Sequence, residues 1–104
     1  MNRNHIGMLA ESRAGHDKGQ IYVIIKEDEE YVYLSDGRLR PLDKLKKKNR
    51  KHIQLIYKPI QEMIENLQND KELRNEEIKR AIRLFQKERL EEQSGIGGKR
   101  NVKS

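Results

Sequence analysis

Along the first half of the chain, short apolar runs alternate with polar turns; in the second half the apolar residues recur with a helical period. Gly7-Met8-Leu9-Ala10-Glu11-Ser12 reads as a first strand, ended by the glycines at 15 and 19. Gln20–Lys26 is a second strand, rich in β-branched and aromatic residues. The acidic run Glu27–Glu30 has hairpin-loop length and should be a solvated loop, with Tyr31–Leu34 as a third strand. Asp36-Gly37 is a tight-turn signal, because glycine accepts the positive φ such turns require. Arg38-Leu39-Arg40 would then be a fourth strand stopped by Pro41, and His52–Ile56 a fifth. Five short strands with brief connections imply a small barrel, since an α/β sheet needs helical crossovers.

From Pro59 the period changes. Ile60, Met63, Ile64 and Leu67 fall on one face of a helix. A second helix should start with Asn75 as N-cap and Glu76 and Glu77 in its first turn, and bury Ile78, Ala81, Ile82 and Phe85. The pair is expected to form a helical hairpin or to pack on the barrel. The predicted organisation is therefore mainly β with C-terminal α: a barrel over 5–57, a helical extension over 58–93 and a flexible basic tail over 94–104.

Composition narrows the function. The 104 residues leave no room for a multi-domain enzyme, and the absence of cysteine excludes a disulfide-stapled scaffold. No apolar run approaches the roughly 20 residues that span a bilayer. Met1–His5 leads into no signal-like apolar stretch, so a soluble, cytoplasmic protein is expected. The net charge of +6 is unevenly placed: residues 36–58 alone carry +7, while 1–35 and 59–93 each carry −2 and the last eleven residues +3. Such asymmetry points to a polyanionic partner.

Enzymatic constellations are missing from the sequence. His5, His16 and His52 are far apart and have no cysteine partners, which argues against a metal site. Ser12 and Ser35 lack a nucleophile-elbow context. Gly95-Ile96-Gly97-Gly98 has no following Lys-Ser/Thr and is no phosphate loop. The expectation is a non-enzyme without cofactors.

Two segments suit nucleic acid instead. In Gly15-His16-Asp17-Lys18-Gly19 two glycines four apart let the backbone turn sharply and approach another surface, although a plain turn would need them equally. Lys44, Lys46, Lys47, Lys48, Arg50 and Lys51 place six positive charges in eight residues, a run that is either merely solubilising or neutralised by an anion. These side chains should be solvated, so reversing Lys46, Lys47 and Lys48 to glutamate is expected to abolish binding without unfolding. Arg38 and Arg40 lie close by in sequence. Tyr22, Tyr31 and Tyr33 could stack on bases, but their strand positions favour packing.

The turn before the second strand, with Gly19 at the characteristic glycine, resembles the KOW motif of ribosomal and transcription-elongation proteins. Together with Tyr22–Ile25, Tyr31–Leu34, Asp36-Gly37-Arg38-Leu39-Arg40 and Lys46–Ile53, it makes residues 5–56 similar to bacterial KOW-domain RNA-binding proteins. Those in turn resemble the fourteen-e class of archaeal and eukaryotic large-subunit ribosomal proteins. The resemblance implies a five-stranded SH3-like barrel, RNA binding and ribosome association, with large-subunit ribosomal RNA as the partner and ribosomal proteins as neighbours. The expected RNA-binding residues are Gly15, His16, Asp17, Lys18, Gly19, Arg38, Arg40, Lys44, Lys46, Lys47, Lys48, Arg50 and Lys51. The other expectation is a protein-interaction module or adaptor of the translation or transcription machinery.

Overall fold

The computed structural model describes residues 5–56 and 73–94. The first expected helix, Pro59–Leu67, and the tail beyond Ser94 lie outside the described residues; the described residues hold one C-terminal helix, and the expected helical hairpin is not supported.

The described chain forms five strands and one long helix: β1 (Leu9–Ser12), β2 (Ile21–Glu27), β3 (Tyr31–Ser35), β4 (Lys46–Asn49), β5 (Ile53–Ile56) and α1 (Asn75–Ser94), with a 3₁₀ turn at Arg50–His52 between β4 and β5. The strands make one open antiparallel sheet in the order β4-β3-β2-β1-β5. A β-bulge at Ile25 shifts the register between β2 and β3 and brings Lys26 opposite Tyr33.

Because successive strand residues point to opposite faces, β1 and β2 feed two separate cores. Leu9, Ile21 and Val23 pack with Ile78, Ala81, Ile82 and Phe85 of α1, the helical stripe expected from the spacing. Ala10, Tyr22, Ile24, Val32 and Leu34 form the second core, flanked by Ile53 and Leu55. Each large apolar side chain fully buried in these layers contributes about 1.5–3 kcal/mol. Arg89 reinforces the helix contact, lying 4.7 Å over the Phe85 ring and 3.5 Å from the carboxylate of Glu11 on β1.

The fourth strand is not the one expected. Residues 38–40 form a loop closed by local side chains: Asp36 Oδ1 accepts from the backbone N–H of Arg38 and Arg40 at 2.8 and 2.9 Å, and Ser35 Oγ donates to Arg40 O at 2.8 Å. These bonds satisfy the backbone groups a sheet ladder would use. The fourth strand is instead the lysine run. Lys46 and Lys48 lie opposite Leu34 and Val32, and their methylene stems can cover that apolar face, while Lys47 lies opposite Tyr33 on the other face. Lysines on an edge strand also discourage pairing with a foreign strand.

Asn75 is also one place away from its expected role. The N–H groups of Glu77 and Ile78 donate to Arg74 O, and Glu77 Oε1 accepts from Arg74 N at 2.8 Å, so Arg74 takes the cap position. The Asn75 side chain accepts from Leu42 N at 2.9 Å and ties the 41–42 loop to the helix.

Candidate nucleic-acid interface

The glycine loop and the lysine run, 25 or more residues apart in sequence, meet in space. The loop extends the β1–β2 hairpin through Gly19 N to Ser12 O at 2.8 Å and Ser12 N to Gln20 O at 3.0 Å. Gly15 and Gly19 both take positive φ, +87° and +94°. The turn sends Asp17 inward. Its Oδ1 accepts from Ser12 Oγ at 2.9 Å and Lys48 Nζ at 2.8 Å, and its Oδ2 from the Tyr22 hydroxyl at 2.8 Å, with Lys46 Nζ 3.6 Å away. Lys48 Nζ also donates to Ser12 Oγ and Ala14 O, so all three of its protons are engaged. The Lys48 side chain is 11% exposed, against the expectation of a solvated lysine. Its ammonium is taken up by the end of β1 and the glycine loop, through Ser12, Ala14 and Asp17.

Burial alone would raise the Asp17 carboxyl, but the bonds from Lys48, Tyr22 and Ser12 outweigh it and hold the group well below the usual carboxylate range. Burial and the Asp17 charge push the Tyr22 hydroxyl well above its ordinary value. A folded-state pKa below the unfolded one makes Asp17 stabilising at neutral pH, and that contribution disappears as pH falls from about 4 through the folded value. Acid titration followed by circular dichroism should therefore show Tm falling below pH 4. Asp17→Asn, already destabilised at neutral pH, should show a flatter decline; equal slopes would contradict the network's role.

A second half-buried carboxylate fastens the other end of β2. Burial raises Glu27, but it is lowered overall by His5, whose backbone N–H and Nδ1 lie at 2.8 and 3.0 Å, and by Arg50 at 2.7 Å. Arg50 also donates to Asp28 O at 2.8 Å. Glu27 thus departs from the expected solvated loop: it ends β2 and clamps the 3₁₀ turn to the β2–β3 hairpin. Asp28 shapes the hairpin turn by accepting from the N–H groups of Glu30 and Tyr31.

The remaining expected residues divide by exposure. Gly15, His16, Lys18, Gly19, Arg38, Arg40, Lys44, Lys47 and Lys51 are exposed, and Lys46 is half-buried. Tyr22 belongs to the inner core, whereas Tyr31 and Tyr33 are half-buried on the outer face. There Lys47 lies 4.2 Å over the Tyr31 ring and Lys26 5.6 Å over Tyr33. The outer face of β2–β3–β4 is therefore a patch of aromatic rings under cations, a surface suited to stacking against bases and attracting phosphate.

Two cations missed by the sequence reading lie on the helix. Lys79 and Arg83 of α1 line a groove of about 350 Å³ shared with Arg38 of the 36–40 loop. Their i, i+4 spacing beside the buried stripe was a visible signal, but nothing in the sequence paired that helix edge with Arg38.

No protein-family model matches the chain, and no curated protein matches it significantly. Among the described residues there is no cluster of three or more potential metal ligands, and no helix is long and apolar enough to cross a membrane.

Proposed function

We propose that the protein binds structured RNA without catalysing a reaction, as a ribosomal or ribosome-associated protein of the cytoplasm whose partner is large-subunit ribosomal RNA. The observation that carries this reading is the set of exposed cations around the glycine loop and β4. Lys18, Lys44 and Lys51 have no carboxylate partner among the described residues, and Lys47 lies over a tyrosine ring with Asp28 near enough to feel its charge. Lys48 and Arg50 support the surface from beneath, through Asp17 and Glu27. Structured RNA presents phosphates and shape in preference to readable base edges, which suits a surface of point charges and rings.

The proposed scaffold is an SH3-like KOW barrel. Strands β4 and β5 occupy opposite edges of the five-stranded sheet yet are joined by the three residues Arg50–His52. A flat sheet would separate those edges by about 19 Å, whereas the four residue steps from Asn49 to Ile53 reach at most about 14 Å. That mismatch favours a sheet coiled towards closure.

Co-sedimentation with ribosomal large subunits across a salt series tests the function. We expect binding at low salt that falls steeply as salt rises, through counterion release. Lys47→Glu combined with Lys51→Glu should weaken it at least tenfold while the fold is kept. A folded protein that fails to sediment with the subunit at low salt overturns the proposal. Binding that survives the charge reversal points to a protein-interaction module instead.

A further inference from the structure

The groove between the sheet and α1 collects three cations around a single carboxylate. Arg38 enters from the loop after β3; Lys79 and Arg83 enter from successive turns of α1. None of the three side chains has an ion pair or hydrogen bond among the described residues. The single carboxylate on the wall, Asp36, has Oδ1 occupied by the backbone N–H groups of Arg38 and Arg40. Like charges at i, i+4 on a helix repel each other at a cost of about 0.2–0.5 kcal/mol, and Lys79 and Arg83 have that spacing. An anion lying along the groove removes this repulsion. The floor is apolar, from Ile21 and Ile82, and the amides of Gln20 and Gln86 stand at the rim with donors and acceptors for a sugar hydroxyl.

The groove's geometry is fixed. Gly37, at φ +74°, lies so close to the helix that a Cβ there would come within 2.5 Å of Asn75 O and 2.9 Å of Lys79 Cγ. With Leu42 N bonded to Asn75 Oδ1, this contact holds the Arg38 loop against the first turns of α1. The cations are thereby presented without the ordering cost a mobile loop would add on binding.

We propose that this groove is a second RNA contact, in which Arg38, Lys79 and Arg83 hold phosphodiester groups of the bound RNA. This rests on the RNA-binding reading and extends its surface from the β4 face to the helix. The helix is then part of the binding apparatus as well as a cover for the sheet.

The test uses the full chain and a ribosomal RNA fragment recovered by crosslinking to the wild-type protein. Its affinity is measured over a salt series for wild type, Arg83→Gln and Lys79→Gln/Arg83→Gln. Each lost phosphate contact should reduce the slope of log K against log salt by about 1. The double variant is therefore expected to bind at least tenfold more weakly, with a slope shallower by about 2. Arg83 is exposed, so Arg83→Gln keeps the test meaningful if the Lys79 change perturbs the fold; it should lower the slope by about 1. Unchanged affinity and slope in both variants overturn the groove assignment while leaving the RNA-binding reading in place. A wild type that binds no RNA overturns both. If phosphatidylserine vesicles are bound as tightly as the RNA, and this is lost in the double variant, the groove is a membrane contact and the assignment to RNA fails.

Discussion

Replacing Lys48 by methionine is expected to unfold the sheet or to lower its Tm by more than about 12 °C, whereas the same change at neighbouring Lys47 should cost little. The stem of Lys48 can be mimicked by methionine, but the ammonium cannot. Without it, Asp17 keeps a nearly buried carboxylate, and Ala14 O and Ser12 Oγ lose their donor. Removing one partner of such a pair costs about 3–5 kcal/mol, a large share of the 5–15 kcal/mol that holds a domain together. At about 4–8 °C per kcal/mol for a domain of this size, the fall in Tm is large. Lys47 forfeits its contact over the Tyr31 ring, about 0.5–1 kcal/mol, and a screened attraction to exposed Asp28. Thermal melts of the two variants settle the matter, and similar Tm values would contradict the internal role of Lys48. The double variant Asp17→Asn/Lys48→Met should recover part of the loss, since the carboxylate charge that Lys48 neutralised is then absent. Reversing Lys46, Lys47 and Lys48 together places two further carboxylates beside Asp17, at positions 46 and 48. Loss of RNA binding in that triple variant would report unfolding, contrary to the expectation from sequence.

That contrast shows where the sequence was legible. Strands β1, β2, β3 and β5 were visible because each carries an apolar stretch, and so was the buried stripe of α1, from Ile78 to Phe85. Strand β4 was hidden because its residues, Lys-Lys-Lys-Asn, are polar on both faces and carry no hydropathy alternation. Its pairing is decided by acceptors on another hairpin, Asp17 and Ala14, which local pattern does not register. The 38–40 segment failed for the opposite reason: Leu39 between two arginines alternates like a strand, but Asp36 and Ser35 close the backbone locally, leaving Leu39 83% exposed. Of the candidate site, the glycine loop and the charge concentration were readable, while the division of lysines into internal and exposed depends on strand register. The groove cations required the docking of α1, a contact between residues about 40 apart.

Gly37→Val is expected to detach α1, and Gly19→Val is the comparison that explains why. Both glycines have positive φ, +74° and +94°, a region that costs an ordinary residue about 1–2 kcal/mol. A Cβ at Gly19 meets no atom within 4 Å, so valine there brings backbone strain alone. At Gly37 the same atom meets the Asn75 carbonyl at 2.5 Å and the Lys79 backbone N at 3.3 Å, and helical backbone cannot move aside without the first turn of α1 moving with it. Once that turn lifts, Ile78, Ala81, Ile82 and Phe85 leave the Leu9–Ile21–Val23 face, and most of their burial energy is lost. Hydrogen exchange should show amides 78–85 losing protection in Gly37→Val and keeping it in Gly19→Val. Asparagine separates the two causes at position 37, because it tolerates positive φ but carries the Cβ; it should fail almost as badly as valine. If Gly37→Asn melts like wild type, the close approach of loop and helix is not what fixes Arg38 beside Lys79. If it fails with valine, the turn that orders the groove and the packing that covers the sheet are one contact, and neither can be lost without the other.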